Sequence, residues 1–371
     1  MLRRVAFSAM LILAGNLISA NDKLQPAATT FLEIESVGNE AADDPAKPVD
    51  YEWVKVVLPA EFAPRDGAGA LSFKGRMWLI GGWNPDSGQR KFFPRICNNE
   101  VWSSADGKSW QLERPNTYGA GEFDSKADWE GRHTAGYAVY RDKMWIIGGD
   151  CNQKHYQMDV WNSSDGRKWE LVAPEVPWGK RALHYTAVHN DKIWVMGGQT
   201  MPGFAGEPER FYRDIWTTTD GKNWSEVKPG EPAWRPRGMI GGSAVHNGRI
   251  WILGGGTYDT PTTPKRNYYN DVWSSADGVT WNQHLEKAPW PARQYHDVAV
   301  WDNRLWVMEG FSGANRNDVW YSADGEHWFE VPATPWLARH AASAFVHNGH
   351  LWMVAGNNMQ SDVWKLRRKS Q

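Results

Sequence analysis

Asp159-Val160-Trp161-Asn162-Ser163-Ser164-Asp165-Gly166-Arg167-Lys168-Trp169 is the stretch on which the fold turns. An acidic residue, an aliphatic and a tryptophan read as a short strand, Asp-Gly as a tight turn, and the second tryptophan as the start of the next strand. The head of this stretch recurs as Glu100-Val101-Trp102, Asp214-Ile215-Trp216, Asp271-Val272-Trp273, Asp318-Val319-Trp320 and Asp362-Val363-Trp364. Six copies of one unit mark a repeat protein, so 371 residues need not mean two or three ordinary domains.

Upstream of each copy lies a second series that ends in Gly-Gly or a relic of it. Its tryptophans are Trp78, Trp145, Trp194, Trp251, Trp306 and Trp352. Thirteen residues before five of them stands an arginine (Arg65, Arg132, Arg181, Arg293, Arg339), and Arg237 is displaced by one in the fourth repeat. A small, apolar segment follows the arginine and turns through pairs such as Asn247-Gly248, the signature of a type I′ hairpin. Each unit thus reads as four short strands, and small residues suit the innermost one, where blades converge.

The sixth unit stops at Trp364 without a fourth strand. Tyr51-Glu52-Trp53-Val54-Lys55-Val56 supplies it, because Trp53 stands twelve residues before Arg65 as Trp169 does before Arg181. Closing the ring this way leaves no open sheet edge. All of the 25 tryptophans except Trp83 and Trp301 fall on repeat positions, so the tryptophan load is core rather than a binding signature. The sequence predicts an all-β, six-bladed β-propeller over residues 50–366, with an N-terminal strand closing the last blade and a basic tail at 367–371.

Residues 1–20 carry Arg3 and Arg4, an apolar run and Ile18-Ser19-Ala20, the pattern of a secretory signal. Residues 21–49 lack a sustained apolar period and read as a flexible leader. A periplasmic or secreted monomer is expected. Lysine plus arginine (41) nearly balances aspartate plus glutamate (43), which gives no basis for nucleic-acid binding or a membrane partner. In an exported chain, the only two cysteines, Cys97 and Cys151, are expected to form a disulfide.

Arginine before the first strand, Gly-Gly ending the second and tryptophan opening the fourth resemble the kelch family over residues 51–366. That family includes scaffold proteins, copper-radical sugar oxidases and exported sialic-acid mutarotases. In its length, six blades and signal the chain resembles the mutarotases. The resemblance implies recognition of a carbohydrate, an acidic one, with mutarotase or epimerase activity as an option. The alternative is a protein-interaction module without chemistry, holding an acidic peptide. The copper reading, with Tyr156, His184 and His296 as ligands, lacks the seventh blade and added domain of those oxidases. No metal-ligand spacing appears, and no cofactor is expected.

Recognition is expected on the face that carries the second-to-third loops, which hold 17, 9, 15, 15, 7 and 5 residues in blades one to six. What recurs in every blade reads as scaffold, and what differs reads as function. The six arginines admit both readings, blade braces or a ring that draws in an anion. His184 and His296 stand three residues after their arginines, which singles out Arg181 and Arg293. His133 and His340 stand immediately after theirs, and Glu309 replaces the first glycine of Gly-Gly. His184, His296 and Glu309 are thereby candidates for chemistry. In the long loops Glu209, Arg210 and Tyr212 join the arginines, His133 and His340 as candidates for ligand contact.

Overall fold

The computed structural model describes residues 44–150, 155–202, 206–238, 243–258 and 265–369. Six four-stranded antiparallel sheets form a six-bladed β-propeller. Blade one sets the pattern, with Gly69–Phe73, Arg76–Ile80, Val101–Ser104 and Gln111–Arg114 paired in chain order. The inner strands of the later blades are Gly136–Tyr140, Tyr185–His189, Ser243–His246, Asp297–Trp301 and Ser343–His347. Each lies beside the inner strands of both adjoining blades, and that of blade six meets that of blade one.

The repeated residues explain the blade. The second-strand tryptophan clamps its own hairpin: Trp78 Nε1 donates to the Phe73 carbonyl at 2.9 Å and Trp145 Nε1 to that of Tyr140 at 2.9 Å. In the Asp-Gly turn, Asp106 Oδ1 accepts the N–H groups of Lys108 and Ser109, at 2.9 and 3.0 Å. The turn then presses onto the tryptophan of the preceding blade. A Cβ at Gly107 would stand 2.3 Å from the Trp352 ring, and one at Gly166 would stand 2.1 Å from Trp78. Only glycine fits there, at φ of +73° in both turns.

Blade six consists of Ser343–His347, His350–Val354, Val363–Arg368 and the N-terminal strand Tyr51–Val57. The closing pair is antiparallel, with Tyr51 opposite Arg368 and Trp53 opposite Leu366. Where other blades press an Asp-Gly turn on their neighbour, the Tyr51 ring meets Trp306 of blade five edge-on at 4.9 Å. Its hydroxyl donates to Asp302 Oδ2 at 2.5 Å. Closure reaches past the strand at both ends. Val49 N donates to the Tyr321 hydroxyl at 2.7 Å, and Arg367 and Arg368 pair with Glu52 and Asp302.

Candidate functional site

All six repeat arginines are buried, and their partners lie within their own blades. Arg132 forks onto Asp159 at 2.6 and 3.1 Å, Arg237 onto Asp271 at 2.5 and 2.8 Å, and Arg339 onto Asp362 at 2.8 and 2.7 Å. Arg181 forks onto Asp214, Arg65 meets Glu100 at 2.8 Å, and Arg293 meets Asp318. A further N–H of each reaches the carbonyl of the residue at the first Gly-Gly position, at distances from 2.6 Å (Glu309 and Ala355) to 3.1 Å (Gly148 and Gly197). The same carboxylate accepts the indole N–H two residues on, as Asp159 does from Trp161 at 2.7 Å. The Arg, Gly-Gly and Asp-x-Trp motifs are thus one hydrogen-bonded cross-brace.

Two residues beyond the arginine the backbone turns left-handed in the five described blades. Gly67, Thr134, Leu183, Tyr295 and Ala341 have φ of +54°, +57°, +61°, +56° and +50°. Four carry side chains that rarely adopt this conformation, the kind of strain that collects at functional sites. The turns form a collar: Ala341 N donates to the Tyr295 carbonyl at 2.8 Å, and Gly67 N to that of Ala341 at 2.9 Å. The arginine is buried in its blade, whereas Thr134, Leu183, Tyr295 and Ala341 of these turns line a cavity at the axis.

A cavity of about 320 Å³ opens above the collar. Three repeat positions build its wall: Asp66, His133 and His340 just after the arginines, the collar side chains, and Trp83, Asp150, Phe311 and Asn357 just after the second glycines. The long loops of blades three and four add Met201, Tyr258 and Arg266. The first and third positions are joined by backbone bridges, such as Asp66 with Trp83 and His133 with Asp150.

The polar groups are firmly held, yet three buried atoms, Asp66 Oδ1, Trp83 Nε1 and His133 Nδ1, have no hydrogen-bond partner. Asp66 is 5% exposed; Asn357 Nδ2 donates to its Oδ2 at 3.3 Å, and Oδ1 is unpartnered. Burial pushes its carboxyl up to about 6, against the pull of His133 and the Asn357 bond. The His133 ring stacks on Trp83 at 6.0 Å, its Nδ1 3.7 Å from Asp150 Oδ1 and outside a hydrogen bond. Thr134 Oγ1 donates to Asp150 Oδ2 at 2.7 Å. His340 bonds Asn315 through Nδ1 at 2.7 Å, and burial with Arg266 lowers it to about 4, so it is neutral at pH 7. The Arg266 guanidinium lies 4.0 Å from the Tyr258 ring centre and 5.3 Å from that of Phe311.

The other sequence candidates lie elsewhere. His184 and His296 are buried below the collar, and burial drives both down to about 3. His296 Nε2 donates to the Leu253 carbonyl of blade four at 2.8 Å, a strut between blades. Glu309 is fully buried, at φ +50°, its two oxygens accepting N–H groups of Asp297 at 2.9 Å and Gly310 at 2.7 Å. Burial pushes both the Glu309 and the Asp297 carboxyls up, and the nearby Asp297 charge adds to the rise at Glu309. Arg210 and Tyr212 line a separate groove beside Arg181, whose guanidinium stacks on the Tyr212 ring at 3.6 Å, while half-buried Glu209 borders neither cavity. Cys97 is buried; Cys151 lies outside the described residues, and so does the expected disulfide.

Of the ligand-contact candidates, the cavity brings together His133 and His340. Sequence reasoning missed Asp66, Asp150, Asn357 and Tyr295. The offset that picked out the two histidines also marks Asp66, and the residue after Gly-Gly marks Trp83, Asp150 and Asn357. The protein is a six-bladed β-propeller with a polar and aromatic axial cavity, an architecture suited to binding. Its sequence matches no family model.

Proposed function

We propose that the protein is an exported, kelch-type propeller that recognises a carbohydrate in the axial cavity. The observation that carries this reading is the meeting of unpartnered Asp66 Oδ1 and His133 Nδ1 with Trp83, Tyr258, Tyr295 and Phe311 in one cavity. Flat rings accept the apolar face of a sugar, while carboxylate, imidazole and amide groups answer its hydroxyls. At about 320 Å³ the cavity falls at the small end of ligand pockets, the size of one or two sugar rings. Arg266 is the cation that an acidic sugar would approach. The kelch reading is supported by the cross-brace, which uses the Arg, Gly-Gly and Trp positions of that motif together. Export is supported by the signal-like pattern of residues 1–20.

The same pair supports a catalytic reading, sugar mutarotation. One of Asp66 and His133 takes the anomeric hydroxyl proton while the other protonates the ring oxygen. The C–O ring bond breaks to give a carbonyl, and reclosure on its other face returns both protons. Asp66, raised to about 6, is suited to hold and release a proton near neutral pH. A glycan array spanning neutral and acidic sugars tests recognition, and exchange NMR between the anomers of a bound sugar tests catalysis. Recognition is refuted if no glycan on the array binds.

A further inference from the structure

Below the collar the channel widens again into a chamber of about 250 Å³. Glycine and alanine make up much of its wall, and Tyr137, His184, Thr186, Ser343 and Asp297 bring polar groups to it. Among the described residues no lysine or arginine lines it, and Asp297 is its one carboxylate.

Two departures from the repeat coincide here. Four residues after the arginine the other described blades carry Gly69, Gly136, Tyr185 and Ser343, whereas blade five carries Asp297. At the first position of Gly-Gly, where the ring otherwise has glycine or Ala355, blade five carries Glu309. The two residues meet through the bond from Asp297 N to Glu309 Oε1. Asp297 is 6% exposed, and its Oδ2 has no hydrogen-bond partner. Arg339, whose charge reaches both carboxyls, is committed to Asp362 and the Ala355 carbonyl. A buried carboxylate oxygen without a donor is costly unless a positive charge answers it.

We infer that the axial chamber is a cation site, in which Asp297 holds a hard, largely hydrated cation of the calcium type while Glu309 adds negative charge from behind. The inference does not depend on carbohydrate binding in the upper cavity. A single carboxylate beside hydroxyl groups suits an ion that keeps much of its water, and among the described residues no three His, Cys, Asp or Glu side chains form a metal cage. Affinity is then of the weak, extracellular kind, with a Kd of roughly 10⁻⁴–10⁻³ M.

The test is calcium chloride titrated into the full, chelator-treated chain, followed by calorimetry and thermal melting. At 10 mM calcium the expected rise in Tm is roughly 2–4 °C. Asp297→Asn abolishes the rise, and Glu309→Gln, which removes the charge at nearly constant volume but leaves one of the two backbone N–H groups without its acceptor, weakens calcium binding about tenfold. If Asp297→Asn does not fold, the Glu309→Gln comparison decides. No calcium effect on the parent chain overturns the inference, as does an effect of equal size in the variants. The pair then shares a proton instead of a cation.

Discussion

Arg132 and Asp159 form a two-pronged ion pair inside blade two, Nη1 to Oδ1 at 2.6 Å and Nη2 to Oδ2 at 3.1 Å, with Trp161 donating to the same carboxylate. Removing one partner leaves the other buried and uncompensated. Arg132→Ala is therefore expected to cost about 3–5 kcal/mol. Arg132→Met combined with Asp159→Leu is expected to recover part of that loss, since a pair replaced by apolar groups leaves no orphan charge. Denaturant melts of the single and double variants measure both effects. If Arg132→Ala melts like the parent, the bracing role is wrong.

Ring closure makes a second expectation. A chain beginning at Asp44 retains Val49, Tyr51 and Trp53 and is expected to melt close to the full chain. One beginning at Leu58 loses the outer strand of blade six, the Tyr51 contact with Trp306 and the Tyr51 bond to Asp302. It is expected to lose most of its stability or to aggregate through the exposed edge. Equal melting of the two truncations would contradict the closure.

The titrating groups pull in opposite directions in acid. Asp66 in the folded chain is raised to about 6, so the folded state holds the proton more tightly and gains stability as pH falls from about 6 to 4. Asp66→Asn is thus expected to exceed the parent in stability at pH 7–8 by up to about 3 kcal/mol, with the gap closing toward pH 4. His184 and His296 are lowered to about 3, so the unfolded state takes up protons first once pH drops below about 6.5. Each is expected to cost about 3 kcal/mol by pH 4, which outweighs the gain at Asp66. His296→Gln should flatten the fall in stability between pH 6.5 and 4. An unchanged acid slope in that variant would show that His296 protonates in the folded chain.

The fold was legible because the repeat occurs six times, and each copy imposes the same cross-brace, turn and inter-blade tryptophan contact. The closing strand could be found because Trp53 keeps the spacing of its counterparts. The site was only partly legible. His133 and His340 stood out as departures at one offset, but Asp66 at that same offset was passed over because its aspartate resembles ordinary surface charge. Trp83, Asp150 and Asn357 are marked by following the second glycine, but the bridges that carry them across the blade mouth join positions far apart in the chain, which the sequence alone does not pair. The left-handed collar, carried by Thr134, Leu183, Tyr295 and Ala341, has no sequence signature, since those residue types do not ask for positive φ. The arginines, prominent because they recur, are committed inside the blades for that very reason.

The most direct test of the account is sugar binding by the parent chain, Asp66→Asn, Trp83→Ala and Arg210→Ala, each first matched for folding by its thermal melt. Arg210 is exposed and lies outside the axial cavity. With a glycan drawn from the array, titration by calorimetry or NMR is expected to show at least a tenfold loss of affinity for Asp66→Asn and Trp83→Ala. Arg210→Ala should bind like the parent. Affinity unchanged by Asp66→Asn and Trp83→Ala but lost with Arg210→Ala would contradict the axial site and move recognition to the outer groove of blade three.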